Sequence, residues 1–345
     1  MKKLRILVTT IGGLTSPDGL LALRHNGERE VFLVGCDAFS GACGRHFVDR
    51  FFISPDSAQS EESYIEALLK ATQEYGIDII VPCGNEDNLA LAKHKSRFSV
   101  PIMVGEYADL IQAYDKGAVY EILLQKMPKH APKYRLASDY ETFLEAIYTL
   151  GYPDKLLVVK PRFGRGGRGV YVLSEHLRTD IFSNKPDGAV TLSFFEAALK
   201  GDNELIIMEH LRAPFISAYS LCSKGRNLFT MRHIREWGNA SQTYRGSVDY
   251  DKELEELCSG VISAFRLDFT NNMELAYNES GDLVLFDLNP RLGASSGIDT
   301  HLGLNFPYLA LKLALGEEIA LDRAYLMQQK ARFYRYFTQW WENGV

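Results

Sequence analysis

Two stretches of the chain carry residue types suited to phosphate and to a hard cation. The first is residues 158–172, Val-Val-Lys-Pro-Arg-Phe-Gly-Arg-Gly-Gly-Arg-Gly-Val-Tyr-Val. An apolar run stops at Lys160-Pro161, and a loop with four glycines and three arginines follows before a second β-rich run. Glycine admits positive-φ backbone, so main-chain N–H groups can turn toward an anion. Arginine adds donor forks that match phosphate. Arg162, Gly164, Arg165, Gly166, Gly167, Arg168 and Gly169 are therefore candidate phosphate-binding residues. A solvated hairpin loop would read the same way in isolation, and a second stretch shifts the balance. Residues 272–291 read Asn-Met-Glu-Leu-Ala-Tyr-Asn-Glu-Ser-Gly-Asp-Leu-Val-Leu-Phe-Asp-Leu-Asn-Pro-Arg, a predicted hairpin with its turn at 278–282. Period-2 alternation puts Asp287 and Asn289 on one face, and antiparallel pairing can bring Glu274 opposite Asp287. Two carboxylates and an amide oxygen are hard ligands suited to Mg²⁺. An ion pair with Arg291 is the simpler alternative for these acids. No Walker-type loop is present: residues 164–169 have its glycine spacing, but Val170-Tyr171 replaces Lys-Ser/Thr.

The elements that must position these groups are α/β in rhythm. A strand at 4–11, a helix at 17–25 and a strand at 31–34 make a βαβ opening, hence a parallel sheet. Asp37 stands where a ribose-binding acid is expected, yet Gly12, Gly13 and Gly19 do not space as Gly-x-Gly-x-x-Gly. A helix at 61–75, a strand at 77–82 and a strand at 100–104 continue the pattern. Asn85, Glu86 and Asp87 follow the carboxyl end of one of these strands, where open parallel sheets bind ligands. Glu86 is thus a candidate substrate residue, with Asn85 or Asp87 also expected to cap the next helix. From residue 108 the chain reads helix, Asp115-Lys116, helix, with Lys116 inside a helix-prone run at 113–125. Strands at 205–208, 216–222 and 228–234 precede a helix at 252–265. Arg232 and Arg245 belong to a basic neighbourhood that could hold a substrate carboxylate. An aromatic, amphipathic run at 324–341 is expected to pack on the body or on a partner subunit.

The 345 residues are 46% hydrophobic and 24% charged, a globular composition. A net charge of −6 argues against a nucleic-acid binder. No run approaches the roughly 20 apolar residues of a membrane helix, and the apolar run at 6–8 is too short for a signal peptide. Five scattered cysteines without a Cys-x-x-Cys pair fit reduced thiols and a cytoplasmic location. Cys43 and His46 are too few for a zinc site.

Taken in order, Asp115-Lys116, Val159-Lys160-Pro161 with the glycine loop, Met208-Glu209 and Asp287-Leu288-Asn289-Pro290-Arg291 resemble the ATP-grasp superfamily. The nearest resemblance is to its carbamoyl-phosphate-synthase-like carboxylate–amine ligases, of a single-unit amino-acid-ligase type. The resemblance covers residues 1 to about 320. It implies a Rossmann-like domain at 1–108 and an ATP-grasp domain at 109–320, two α+β lobes (109–205 and 206–320) that clasp ATP. Residues 321–345 would be a tail. It also implies that Lys116 and Lys160 contact ATP, that residues 164–169 close over its phosphates, and that Glu209, His210 and Leu211 line the adenine. Glu274, Asp287 and Asn289 would hold Mg²⁺, with Mn²⁺ as a substitute, and Arg291 would steady the transferring phosphate. Two positions depart from the family: Asp287 stands where Glu is usual, and Ser217-Ala218-Tyr219-Ser220 lacks the ribose-binding Glu.

The implied reaction joins a small carboxylic or amino acid to an amine through an acyl phosphate, releasing ADP and phosphate. Small-molecule substrates, no nucleic acid and no membrane follow, and a homodimer is open to such ligases. Alternatives are an NAD(P)-dependent oxidoreductase built on the βαβ opening, a non-catalytic module that binds ATP or an amino acid, and a kinase or carboxylase on the same scaffold.

Overall fold

The protein is described by a computed structural model. It describes residues 3–13, 16–164, 168–175, 189–199, 204–238, 242–293, 295–336 and 338–341. The front of the chain builds β1 (Leu4–Thr9), α1 (Ser16–Arg24), β2 (Val31–Asp37), β3 (Arg50–Ile53), α2 (Glu61–Glu74), β4 (Ile79–Val81) and α3 (Asn85–Lys93). Its four strands form a parallel sheet in the order β3-β2-β1-β4. Both faces of β1 are covered: Ile6 and Val8 lie in one apolar cluster, Leu7 in another. That double burial explains why the strand reads as an unbroken apolar run rather than an alternating one. The strand expected at 100–104 reduces to a single parallel bridge between Ile80 and Ile102. Pro101 offers a carbonyl to Ile80 but has no N–H to extend the ladder.

The order helix, Asp115-Lys116, helix read from residue 108 onward is the one the fold adopts, as α4 (Tyr107–Tyr114) and α5 (Lys116–Lys126). Asp115 divides them, because its extended backbone and its carboxylate, which accepts from the N–H groups of Gly117 and Ala118, cap α5. Lys116 is thereby the first residue of a helix rather than a mid-helix surface lysine. A second sheet holds β5 (Tyr134–Ala137), β6 (Leu157–Pro161), β7 (Tyr171–Leu173), β8 (Ala189–Val190) and β9 (Leu205–Glu209), in the order β5-β9-β6-β7-β8. Helices α6 (Tyr140–Thr149) and α7 (Leu192–Ala198) cover one face of it, with Phe143 and Phe195 in the shared core.

The third sheet has six strands: β10 (Arg212–Ser223), β11 (Arg226–Gly238), β12 (Thr243–Asp249), β13 (Phe269–Tyr277), β14 (Leu283–Asn289) and β15 (Ala331–Tyr334). Their order is β14-β13-β10-β11-β12-β15. Helix α8 (Lys252–Ala264) packs on one face through Leu254, Cys258 and Val261. The opposite face meets α1 and α9 (Phe306–Ala314), with Tyr219, Met231 and Val248 against Leu20 and Leu311. The C-terminal run expected as a tail yields a short α10 (Arg323–Leu326) and then the edge strand β15, paired with β12. Trp340, beyond that edge, stacks on His46 with ring centroids 4.9 Å apart. No helix among the described residues is long and apolar enough to cross a membrane.

Candidate active site

The polar site grows from one row of side chains across the six-stranded sheet. In register, Asp287 of β14 faces Glu274 of β13, Glu274 faces Ser217 of β10, and Ser217 faces His233 of β11. Side chains opposite one another on one face of an antiparallel sheet are neighbours. Ser217 Oγ donates to Glu274 Oε2 at 2.8 Å. Two residues along β14, on the same face, the Asn289 amide donates to Asp287 Oδ2 at 2.8 Å. The expected pairing of Glu274 with Asp287 is the one the fold adopts.

The other two structural parts bring cations to this row. Lys116 is carried in by the Asp115 cap, and its Nζ stands 3.1 Å from Asp287 Oδ1 while donating to the Gly164 carbonyl at 2.8 Å. Asp115 also grips Arg162 with both oxygens, at 2.7 and 2.6 Å, which ties the start of α5 to the root of the glycine loop. Lys160, at the end of β6, is buried. Its Nζ donates to the Tyr120 hydroxyl at 2.7 Å and to the Phe286 carbonyl at 2.8 Å, and Tyr120 itself donates to that carbonyl at 2.6 Å. Burial lowers the Lys160 amine to about 7; Asp287 works against that fall and Lys116 adds to it. Burial likewise pushes the Glu274 carboxyl up, with Arg235, 3.9 Å away, opposing it. Arg291 closes the site from the loop after β14. Its Nε donates to Asn85 Oδ1 at 2.6 Å and its Nη2 lies 3.5 Å from Asn289 Oδ1.

The donor set fits a divalent cation. Among the described residues, Asp287 Oδ1 is enclosed with the Lys116 ammonium against it, and the Asn289 amide oxygen has a long contact from Arg291. Among the described residues no group of three His, Cys, Asp or Glu is poised for a metal. The available ligands are the two acids and one amide of residues 274, 287 and 289, a set of hard oxygens.

The remaining sequence candidates are scattered. Arg165, Gly166 and Gly167 lie outside the described residues; Gly164, Arg168 and Gly169 are exposed, Gly169 with φ +71°. Glu209 accepts from the Lys133 N–H at 2.8 Å, and the neighbouring His210 imidazole is held below its usual value by burial and by Arg212. Leu211 is buried between the two sheets. Glu86 sits in the first turn of α3, whose cap is Gly84 rather than Asn85 or Asp87. Asp87 instead accepts from the hydroxyls of Thr9 and Thr10 at the end of β1. Arg232 is turned to the α8 face, away from the acids, and is engaged by Asp249 and Asp251. Arg245 pairs with Glu236 at the outer part of the sheet. Neither arginine joins the row. Asp37 folds back on the first loop, accepting from Gly12 N–H at 2.7 Å and Phe39 N–H at 2.9 Å. A Cβ at Gly12 would lie 2.8 Å from that carboxylate, so the loop is filled by its own acid. Residues not singled out from sequence include Tyr120 and Ser217 as a partner of Glu274, whereas Arg162 and Arg235 fall within the glycine loop and the basic neighbourhood read from sequence. Of the first two, only Ser217 had a legible signal, through strand register.

A pair of sheets, one ending at Lys160 and the start of the glycine loop and the other carrying the acid–amide hairpin, gives the chain the ATP-grasp fold. Residues 202–334 match a family model described as an ATP-grasp in the biosynthetic pathway with Ter operon. In sequence the chain is similar to the carbamoyl phosphate synthase large chain of Bifidobacterium longum, 23% identical over 310 residues. The match covers 86% of this chain and 27% of that one, so the chain spans about a quarter of that relative's length. Among solved structures it is similar to an L-amino acid ligase from Bacillus licheniformis, with a TM-score of 0.68 and 16% identity. That likeness covers 98% of this chain and 81% of the other. It is also similar to a biotin carboxylase from Campylobacter jejuni, TM-score 0.67 and 16% identity, over 96% and 75% of the two chains.

Proposed function

We propose that the protein is an ATP-dependent, ADP-forming ligase that joins a small carboxylic or amino acid to an amine. The observation that carries this reading is the meeting of Lys116 and Lys160 with Asp287, Asn289 and Arg291, groups from both sides of the clasp. In this reading residues 1–108 are the front domain, and residues 109–205 and 206–320 are the two lobes. A carboxylate oxygen of the acid attacks the γ-phosphorus, and the bond to the β-phosphate oxygen breaks with ADP leaving. The amine nitrogen then attacks the acyl carbon, phosphate departs with its electron pair, and the nitrogen gives up its proton.

Transfer of this kind asks for positioning and neutralisation of spread charge more than for a protein nucleophile. Lys116 and Lys160 supply positive charge to the phosphates, and Arg291 steadies the transferring group. Gly164, Arg168 and Gly169, the described ends of the glycine loop, lie on the phosphate side in this reading. Residues 209–211 face the adenine. Glu274, Asp287 and Asn289 would hold Mg²⁺, or Mn²⁺ in its place, which neutralises phosphate charge when bound.

Thermal unfolding with Mg-ADP, Mg-ATP and NADPH in separate wells tests the nucleotide. A midpoint raised by the magnesium nucleotides and lost on chelation is expected, since a ligand of the native state stabilises by mass action. A rise with NADPH alone would overturn the reading in favour of an oxidoreductase. ADP release and product mass across pairs of acids and amines then test the reaction. An amide is expected, and a phosphorylated or carboxylated acceptor would replace ligation with another chemistry. Asp287→Asn combined with Asn289→Ala should abolish turnover with the fold intact; unchanged ADP release would refute the metal assignment.

A further inference from the structure

Ligation ends with a proton that the attacking nitrogen must lose, and the six-stranded sheet holds a side chain placed to take it. Along β11, one face carries Phe229, Met231, His233 and Arg235. Phe229 and Met231 are buried in the core shared with α1 and α9, whereas Arg235 stands 3.9 Å from Glu274. His233 is the residue at which that face turns from apolar to polar. In register it lies beside Ser217, the residue that donates to Glu274. His233 Nε2 meets both carboxylate oxygens of Asp299, at 2.8 and 2.9 Å. Asp299 is fully buried, in the short helical turn Ile298–Leu302 that follows the Arg291 loop. The Tyr219 ring, 4.6 Å away, and the Phe333 ring, 6.2 Å away, pack about the imidazole.

A carboxylate only accepts, so Nε2 carries the proton and Nδ1 presents a lone pair. Nδ1 has no hydrogen-bond partner among the described residues, and it is not sealed from solvent although the side chain is only 5% exposed. A carboxylate on the far nitrogen fixes the tautomer and steadies the imidazolium that forms when the free nitrogen takes a proton. Lys116 meets the row at its β14 end, which leaves the β11 end to the second substrate. We infer that His233 is the base of the second half-reaction, with Asp299 as its positioning residue; this rests on the ligase reading and adds the proton acceptor to it. The amine nitrogen bonds to the acyl carbon, and the carbon–oxygen bond to phosphate breaks with phosphate keeping the electron pair. The surplus proton on nitrogen passes to Nδ1, and the imidazolium later returns it to solvent.

The test compares the amine found by product mass with hydroxylamine, each offered to the same acid and Mg-ATP. Hydroxylamine is unprotonated at neutral pH, needs no base to become a nucleophile, and traps an acyl phosphate as a hydroxamate. The wild type should make both products; neither hydroxamate nor amide with any acid would sink the ligase reading itself. In His233→Asn the ratio of amide to hydroxamate formed should fall about a hundredfold or more, the size of a general-base contribution. Asp299→Asn, whose amide no longer fixes the proton on Nε2, should lower the same ratio. Circular dichroism melts establish that each variant folds, and Asp299→Asn carries the test if His233→Asn does not. A purely structural pair would lower both products together. An unchanged ratio in a folded variant, whether both products persist or both fall equally, would overturn the inference and leave the ligase reading standing.

Discussion

At the scale of single residues, Lys160 has the most consequential environment. Its amine is lowered to about 7, while an unfolded lysine keeps its proton to far higher pH. Above pH 7 the unfolded chain therefore binds more protons than the native one, and stability of the nucleotide-free protein rises with pH. Denaturant unfolding at pH 7 and 8.5 should show this rise in the wild type and a flatter response in Lys160→Met. A phosphate beside the amine restores its proton, so Mg-ADP binding near pH 7.5 should take up protons. Calorimetry in buffers of different ionisation enthalpy would read that uptake, and none is expected in Lys160→Met. Residue identities were legible here, but burial was not. Val158-Val159-Lys160-Pro161 advertises a strand end, whereas the bonds to Tyr120 and Phe286 depend on three elements meeting. Arg232 and Arg245 misled for the same reason. A basic neighbourhood in sequence does not reveal which sheet face each side chain takes, and Asp249 and Glu236 claim these two.

At the scale of elements, Asp115 does two jobs at the boundary of α4 and α5. Burial pushes its carboxyl up, yet Arg162 and the N–H groups of Ala118 and Gly117 hold it below the usual carboxylate range. Its contribution is thus present above the unfolded value and is lost as pH falls through the lower folded value. Asp115→Ala removes a helix cap and a partly buried ion pair, and should cost about 2 kcal/mol in denaturant unfolding. Asp115→Ser, which keeps the cap and loses the pair, should recover part of that. The acid–amide hairpin was the most legible element, because strand alternation and a turn at 278–282 fix the register of Glu274 on Asp287. The 100–104 strand was the least, since an apolar run with a proline at its second position reads as a strand until hydrogen bonds are followed.

At the scale of the whole molecule, the candidate site is completed by α3, which follows the parallel front sheet. Asn85, 206 residues from Arg291 in the chain, orients that guanidinium, and the Asn88 amide donates to the Pro290 carbonyl at 2.9 Å. On the proposed function, Asn85→Ala should lower kcat while leaving the Mg-ADP affinity near wild type, because it loosens Arg291 and not the lysines. Gly297 packs on the first turn of α1, where a Cβ would meet the Asp18 carbonyl at 2.6 Å. Gly297→Ala should therefore destabilise by about 1–3 kcal/mol, read as a lower Tm. Contacts this long in sequence left no trace in local pattern, although the α/β order of the front did. The stacking of Trp340 on His46 carries a practical corollary for all of these measurements. The chain has three tryptophans, Trp237, Trp340 and Trp341, and each is more than half exposed near the β12–β15 edge. Their emission should already be red-shifted in the native state and should change little on unfolding. A melt followed by tryptophan fluorescence would report that rim alone, so backbone circular dichroism is the optical probe that follows the cores.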